Sequence, residues 1–346
     1  MTNGNNQYIV KRPSDGKLVG YTRMTTYIGA LEDTTKLTEW KMRVLLEGVA
    51  AAESDAVVTR GESPLARVLD LAHRRDVAIA KARKQDRKGK LEIGQLAVIT
   101  DGAWGDFKRA MNELAEELFE VGGGREKAQK GTDLHALSDI VDMGGGLAEL
   151  SDMLEAGEIS PADYADMEAY AAGIQRMGLR LHVGEQVIVN DTLKVAGRLD
   201  RVWIGKLPEI RHPKTGEVIR PADTRARRYV GDLKTGNVEY GIGKIAQQLR
   251  GYAEAETYDL DTHERGKHGA NREIGLLMHL PAGSGKMRVH IVNLGIGGAG
   301  IKLSGEVRAF RNTGKRATDF AIDVLEQIEA AEQDAADAAA PAEETP

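Results

Sequence analysis

The stretch 229–252, YVGDLKTGNVEYGIGKIAQQLRGY, constrains this chain most, because it joins an apolar strand to an amphipathic helix through one short turn. Tyr229, Val230 and Leu233 suit a short buried strand, Thr235 and Gly236 supply turn chemistry, and the spacing predicts a helix over about 243–258. Asp232 and Lys234 are two apart, so they project from one face of that strand. A carboxylate and an ammonium side by side at a strand end suit metal-assisted hydrolysis of a phosphodiester. The carboxylate holds a divalent cation, and the lysine positions water or offsets developing negative charge. On the helix, Lys244, Gln248 and Tyr252 are spaced four apart and form one polar stripe suited to meeting a phosphate.

Upstream, VAGRLDRVW at 195–203 reads as a strand carrying Asp200, and GTDLH at 131–135 opens a helix carrying His135. The series GTDLH, GRLD, GDLKTG and QLRGY resembles, in order and in local context, the motifs of the RecB-like branch of PD-(D/E)xK nucleases. That branch includes phage recombination exonucleases and CRISPR-associated nucleases. The resemblance covers 131–294, and 25–43 more loosely. It implies an α/β (α+β) fold: a restriction-endonuclease-like PD-(D/E)xK core with a mixed central sheet flanked by helices, and an N-terminal helical region.

The resemblance also implies roles. His135, Asp200, Asp232 and the backbone carbonyl of Leu233 would bind metal, and hard oxygens with one imidazole suit magnesium or manganese. Asp200, Asp232 and Lys234 form the catalytic set, with Lys234 orienting or activating the attacking water. Gln248, Tyr252 and Lys244 would position the DNA strand. Glu185 either supports the metal site through hydrogen bonds to its ligands or faces solvent from its strand. The expected activity is a metal-dependent DNA exonuclease acting from DNA ends in phage recombination or repair, with a single-strand annealing recombinase as partner. The alternatives are a DNA-binding or scaffold module with a nuclease fold and no catalysis, and a hydrolase of another phosphoester.

There is no cysteine, which excludes thiol nucleophiles and the four-cysteine iron-sulfur cluster of some RecB-like relatives. The first residues lack the apolar core of a signal peptide, and no run approaches the roughly 18 to 20 apolar residues of a membrane span. A cytoplasmic protein without membrane contact is expected, in the bacterial host cytoplasm if phage-encoded. The net charge of −6 argues against nucleic acid at first sight, but residues 331–346 carry five acids and no base. Charge distribution matters more here than the total.

Taken in order, residues 1–22 read as a polar arm with one short hairpin, and 23–130 as a helical region packed on the core. Within that region Trp40 marks a helix from residue 34 or 35, and Ser63 and Pro64 start another that ends in the basic run HRRDVAIAKARKQDRKGK. That run is either a solvated helix end or a DNA-backbone contact. A helix over about 103–121 places Trp104, Phe107, Met111, Leu114 and Leu118 at helical spacing, which reads as a core rather than as a base-stacking platform. The nuclease core is expected over 131–315. Asp133, Asp139, Asp142 and Glu149 read as a solvated helix face. Residues 179–190 and 193–205 read as two strands, and the long 206–228 connection offers Arg220, Arg225, Arg227 and Arg228 to solvent or to phosphates. His263 and His268 read as exposed. The AGSGK segment at 282–286 is a hairpin turn rather than a phosphate loop, and the glycines of 295–300 read as a second turn. A C-terminal helix over 316–330 and a disordered acidic tail over 331–346 complete the expectation.

Overall fold

Residues 4, 7–59, 62–144, 146–212, 214–316, 328–329 and 331–333 are described by the computed structural model. Most of the 316–330 helix and nearly all of the 331–346 tail lie outside the described residues.

The chain opens with a hairpin, β1 (Tyr8–Lys11) and β2 (Leu18–Arg23), whose Tyr8, Val10 and Tyr21 are buried. The short helix α1 (Met24–Ile28) and a 3-10 turn (Gly29–Leu31) follow. Three long helices come next: α2 (Thr35–Thr59), α3 (Pro64–Asp86) and α4 (Gln95–Val121). Ser63 caps α3 by accepting from the Ala66 amide at 3.2 Å, with Pro64 in the first turn. Then α5 (Glu126–Asp142), α6 (Gly146–Glu155) and α7 (Pro161–Arg176) follow, the last begun by a Ser160/Asp163 capping box.

Strands β3 (Arg180–Val183), β4 (Gln186–Asn190), β5 (Val195–Leu199) and β6 (Arg201–Gly205) replace the two continuous strands expected over 179–205. Each expected strand is broken once, at residues 184–185 and at Asp200, and the two halves enter different sheets. β4 pairs with β5 and β3 with β6, so one long bent hairpin links both sheets. After a small hairpin, β7 (Ile210–Arg211) and β8 (Val218–Arg220), come β9 (Arg227–Lys234) and α8 (Ile242–Ala253). The chain continues through β10 (Glu256–Tyr258), β11 (Arg265–Gly266), β12 (Ile274–His279), β13 (Arg288–Asn293) and α9 (Leu294–Arg316).

One sheet has the order β1-β2-β5-β4-β10-β11 and the other β13-β12-β9-β6-β3. Most pairings are antiparallel, while β2/β5 and β9/β12 are parallel. The result is a mixed α/β architecture, a curled mixed sheet flanked by helices. α1, α8 and α9 cover one face through Met24, Leu249, Leu277 and Ile301. α5, α6 and α7 cover the other through Leu134, Leu150, Met167 and Trp203. Within 23–130, α1 and the 3-10 turn make the principal contacts with this core, whereas α2, α3 and α4 pack chiefly against one another.

Four expectations are corrected. The helix over 243–258 ends at Ala253, and the chain turns at once into β10, which hydrogen-bonds to β4. The histidine helix starts at Glu126 rather than Gly131, and the helix expected to start at 103 begins at Gln95. The glycines of 295–300 are not a turn but the first turns of α9. Their small size serves packing: a Cβ at Gly297 would lie 2.1 Å from the Ala246 carbonyl oxygen of α8, so only glycine permits this helix approach. No described helix is long and apolar enough to cross a membrane.

Candidate active site

Alternation along β9 assigns its side chains to two faces. Tyr229 and Leu233 enter the cluster under α5–α7, and Val230 enters the cluster under α8. Asp232 and Lys234 therefore share the α8 face with Val230. The antiparallel β6/β9 ladder pairs Val202 with Val230 and Arg201 with Gly231, so Asp200 stands one step on, across from Asp232. The bend that breaks β5 from β6 falls on Asp200 itself. Two carboxylates from sequence-distant strands thus meet on one face, beside the α8 helix.

Asp232 is 2% exposed. Lys234 Nζ lies 2.5 Å from Asp232 Oδ2, an ion pair that balances this carboxylate although the oxygen accepts no aligned hydrogen bond. Asp200 Oδ2 is likewise buried without one. From α5, His135 Nδ1 comes within 3.8 Å of Asp200 Oδ2, and the ring lies beside the Leu233 backbone. From α8, Gln248 Nε2 makes a long 3.4 Å contact to Asp232 Oδ1 and donates to the Tyr252 hydroxyl at 3.2 Å. Gly197 of β5 makes room for that tyrosine: a Cβ there would sit 3.0 Å from the ring. His135, Asp200, Asp232, Leu233, Lys234, Gln248 and Tyr252 are all brought together.

The electrostatics follow from burial and crowding of like charge. Burial, reinforced by the neighbouring Asp232 charge, pushes the Asp200 carboxyl up to about 7. Burial, with the positive charges of Lys234 and Arg201, holds His135 below the usual imidazole range, so its imidazole is neutral. Burial and the two carboxylates push the Tyr252 phenol well above its ordinary value, so it stays a hydroxyl donor.

A magnesium or manganese ion is implied by the sequence resemblance, and the donor set can be tested against it. Among the described residues no three His, Asp or Glu side chains are drawn together as a ready metal cage. The chemistry of the donors nonetheless fits a hard cation. One buried Asp200 oxygen has no hydrogen-bond partner, the Asp232 carboxylate carries only Lys234, a neutral imidazole stands beside them, and the Leu233 carbonyl borders the same space. Neither a protein-family model nor a curated protein matches this chain.

Other expected residues lie elsewhere. Lys244 is turned away from the carboxylates and pairs with Glu32 at 2.6 Å, across to the loop after the 3-10 turn. Glu185 forms an ion pair with Arg198 at the surface, which favours the solvent-facing reading over support of the metal site. In the 206–228 connection, Arg220 and Arg227 both reach Asp223, which also accepts from Tyr229, and Arg228 Nη1 donates to the His268 carbonyl at 3.2 Å. His268 is not exposed but buried: Nδ1 accepts from the Ala270 amide, so Nε2 donates to the Tyr252 carbonyl at 3.1 Å.

Sequence reasoning missed Arg201. It lies on the face opposite Asp200 and is 3% exposed. Its guanidinium binds Asp142, Asp139 at 2.5 Å and Ser138 Oγ at 2.7 Å, while Tyr170 donates to Asp142 at 2.7 Å. Asp139 and Asp142 are therefore not a solvated face, as expected, but anchors that fix α5, and with it His135, against β6. The signal available was an arginine inside an otherwise apolar strand, RVWIG, opposite a helix with acids three apart. A cavity of about 510 Å³ opens beside the site, lined by Lys130, Thr235, Asn237 and His279 among others.

Proposed function

We propose that the chain is a divalent-metal-dependent deoxyribonuclease of the PD-(D/E)xK type, acting from DNA ends. The observation that carries this reading is the facing pair Asp200 and Asp232, the first half-buried and the second buried on one face, with Lys234 between strand end and solvent. Lys234 balances one of these charges, and a second carboxylate beside it destabilises the fold unless a further cation compensates it. Retaining both beside a neutral histidine points to a site built to bind a cation.

His135, Asp200, Asp232 and the Leu233 carbonyl would hold magnesium or manganese. When bound, such an ion supplies Lewis-acid stabilisation of the phosphodiester's developing charge. Lys234, with its ammonium 2.5 Å from Asp232, orients the attacking water and offsets negative charge as the phosphorus becomes five-coordinate. The Tyr252 hydroxyl accepts from Gln248 and keeps its proton, so it is available to a phosphate oxygen of the strand. The Arg201 network keeps the His135 helix in place. Selection of an internal sequence requires base-reading elements, and the groups facing the site are directed at backbone phosphates, so the frayed end is the geometry expected to be attacked. Digestion of end-labelled linear DNA by the purified protein, with and without magnesium or manganese, tests this reading. Metal-dependent release of short products supports it, and absence of products at any metal concentration contradicts it.

A further inference from the structure

The groove between α3 and α4 lies on the helical bundle, apart from the carboxylate site, and is lined by Asp76, Ile79, Arg83, Lys84, Arg87 and Trp104 among others. Its volume is about 680 Å³. Arg83 and Arg87 are one helical turn apart, so they form a cationic row along α3 about 6 Å long. Arg83, Lys84 and Arg87 enter no ion pair among the described residues, whereas Arg74 and Arg75 nearby are tied to Asp70 and Asp76. The row lies in a stretch, 81–90, with six bases and the single acid Asp86.

The aromatic at the groove is unusual for a helix core position. Trp104, expected as core, is 40% exposed. Its indole is not loose: the Arg75 guanidinium lies 4.2 Å from the ring centroid, and Phe107 packs edge-on at 5.7 Å. A large aromatic held rigid from one side, left partly open, and placed beside unpaired cations is the pairing of features that binds a single nucleic-acid strand. Asp76 lines the same groove, but its charge is engaged by Arg75 at 2.7 Å.

We propose that this α3/α4 groove is a second DNA-contacting site, binding single-stranded DNA with Arg83, Lys84 and Arg87 on the phosphates and Trp104 stacked on a base. An acidic protein segment would match the cations but gains nothing specific from a clamped indole. The groove stands independently of the carboxylate site, so a strand can be held there whether or not the site is catalytic.

The test is binding of a short fluorescein-labelled oligothymidylate to the full chain in chelator, so that no cleavage enters the measurement. Replacing Arg83, Lys84 and Arg87 together by Gln should weaken binding about tenfold or more and lower the salt slope by about two. Trp104→Leu should weaken it about tenfold with the salt slope unchanged, and should abolish the strand-induced quenching of tryptophan fluorescence. Trp40, packed on Phe119, and the buried Trp203 supply the remaining tryptophan emission. If the triple variant does not fold by circular dichroism, Arg87→Gln alone carries the test, with a slope reduced by about 0.7. Wild-type affinity and slope in all variants would overturn the proposal. So would a loss confined to the charge variant with heparin competing equally well, which would make the groove a general polyanion surface. Nuclease assays on the same variants remain a separate readout, so failure here leaves the carboxylate site untouched.

Discussion

Asp200 and Asp232 face each other across the end of the β6/β9 ladder, Asp232 ion-paired with Lys234 and Asp200 left with one oxygen that has no hydrogen-bond partner. Lys234 balances only one of the two charges, so repulsion between the carboxylates remains, and this has consequences without any DNA present.

Burial and the neighbouring Asp232 charge hold the Asp200 carboxyl in the fold well above its ordinary value of 3.8. A raised carboxyl favours the fold when protonated, so its contribution is most favourable below the unfolded value and is lost as pH rises from about 4 to about 7. Asp200→Asn removes that loss. The variant should exceed the metal-free wild type at about pH 7.5 by on the order of 2 kcal/mol, and the gap should close towards pH 4.5. Comparing the two proteins, rather than following one, cancels the buried His268, whose lowered value acts in the opposite direction. Thermal denaturation in chelator measures it, and a pH-independent gap would be inconsistent with a strained carboxylate.

Arg201→Met should destabilise by about 3–5 kcal/mol, because it strands the buried Asp142 and the partly buried Asp139 without their cation. Urea denaturation gives the value. A change below about 1 kcal/mol would mean that the network is not what holds α5 to β6.

Gly297→Ala places a methyl 2.1 Å from a backbone oxygen that cannot swing aside. The helices α8 and α9 must separate, at a cost of about 1–3 kcal/mol. Gly314→Ala, on the same helix with open space around it, should be neutral or slightly stabilising. Equal denaturation midpoints for the two variants would contradict the packing.

Lys234→Ala should lower turnover by orders of magnitude while DNA affinity in chelator stays within about threefold. A loss seen only in affinity would make Lys234 a phosphate contact instead.

Much of this was legible in the chain because the strand-turn-helix of 229–252 carries its own periodicity, and Asp232, Lys234, Gln248 and Tyr252 are positioned by local structure alone. Strand pairing is not local. That Asp200 interrupts a run which reads as one strand depends on the sheet curling at that point, and nothing in VAGRLDRVW announces the bend. Arg201 and Asp142 were hidden for the same reason, since a charged residue reads as exposed until its partner is known. The glycines of 295–300 misled because glycine marks both turns and close helix contacts, and only the neighbouring α8 backbone distinguishes them. His268 read as exposed from its charged neighbours, yet its ring closes the C-terminal end of α8 by donating to Tyr252.

The most direct test compares wild type with Asp232→Asn on linear and on covalently closed circular duplex DNA, each with magnesium, manganese or chelator. The account predicts that wild type degrades the linear molecule to short products only with metal and spares the circle. Asp232→Asn, which keeps the shape but not the charge, should lose activity by a factor of about 10³ or more while remaining folded. Full activity of Asp232→Asn, or digestion in chelator, would contradict the assignment of the site, and efficient cutting of the closed circle would contradict attack from ends.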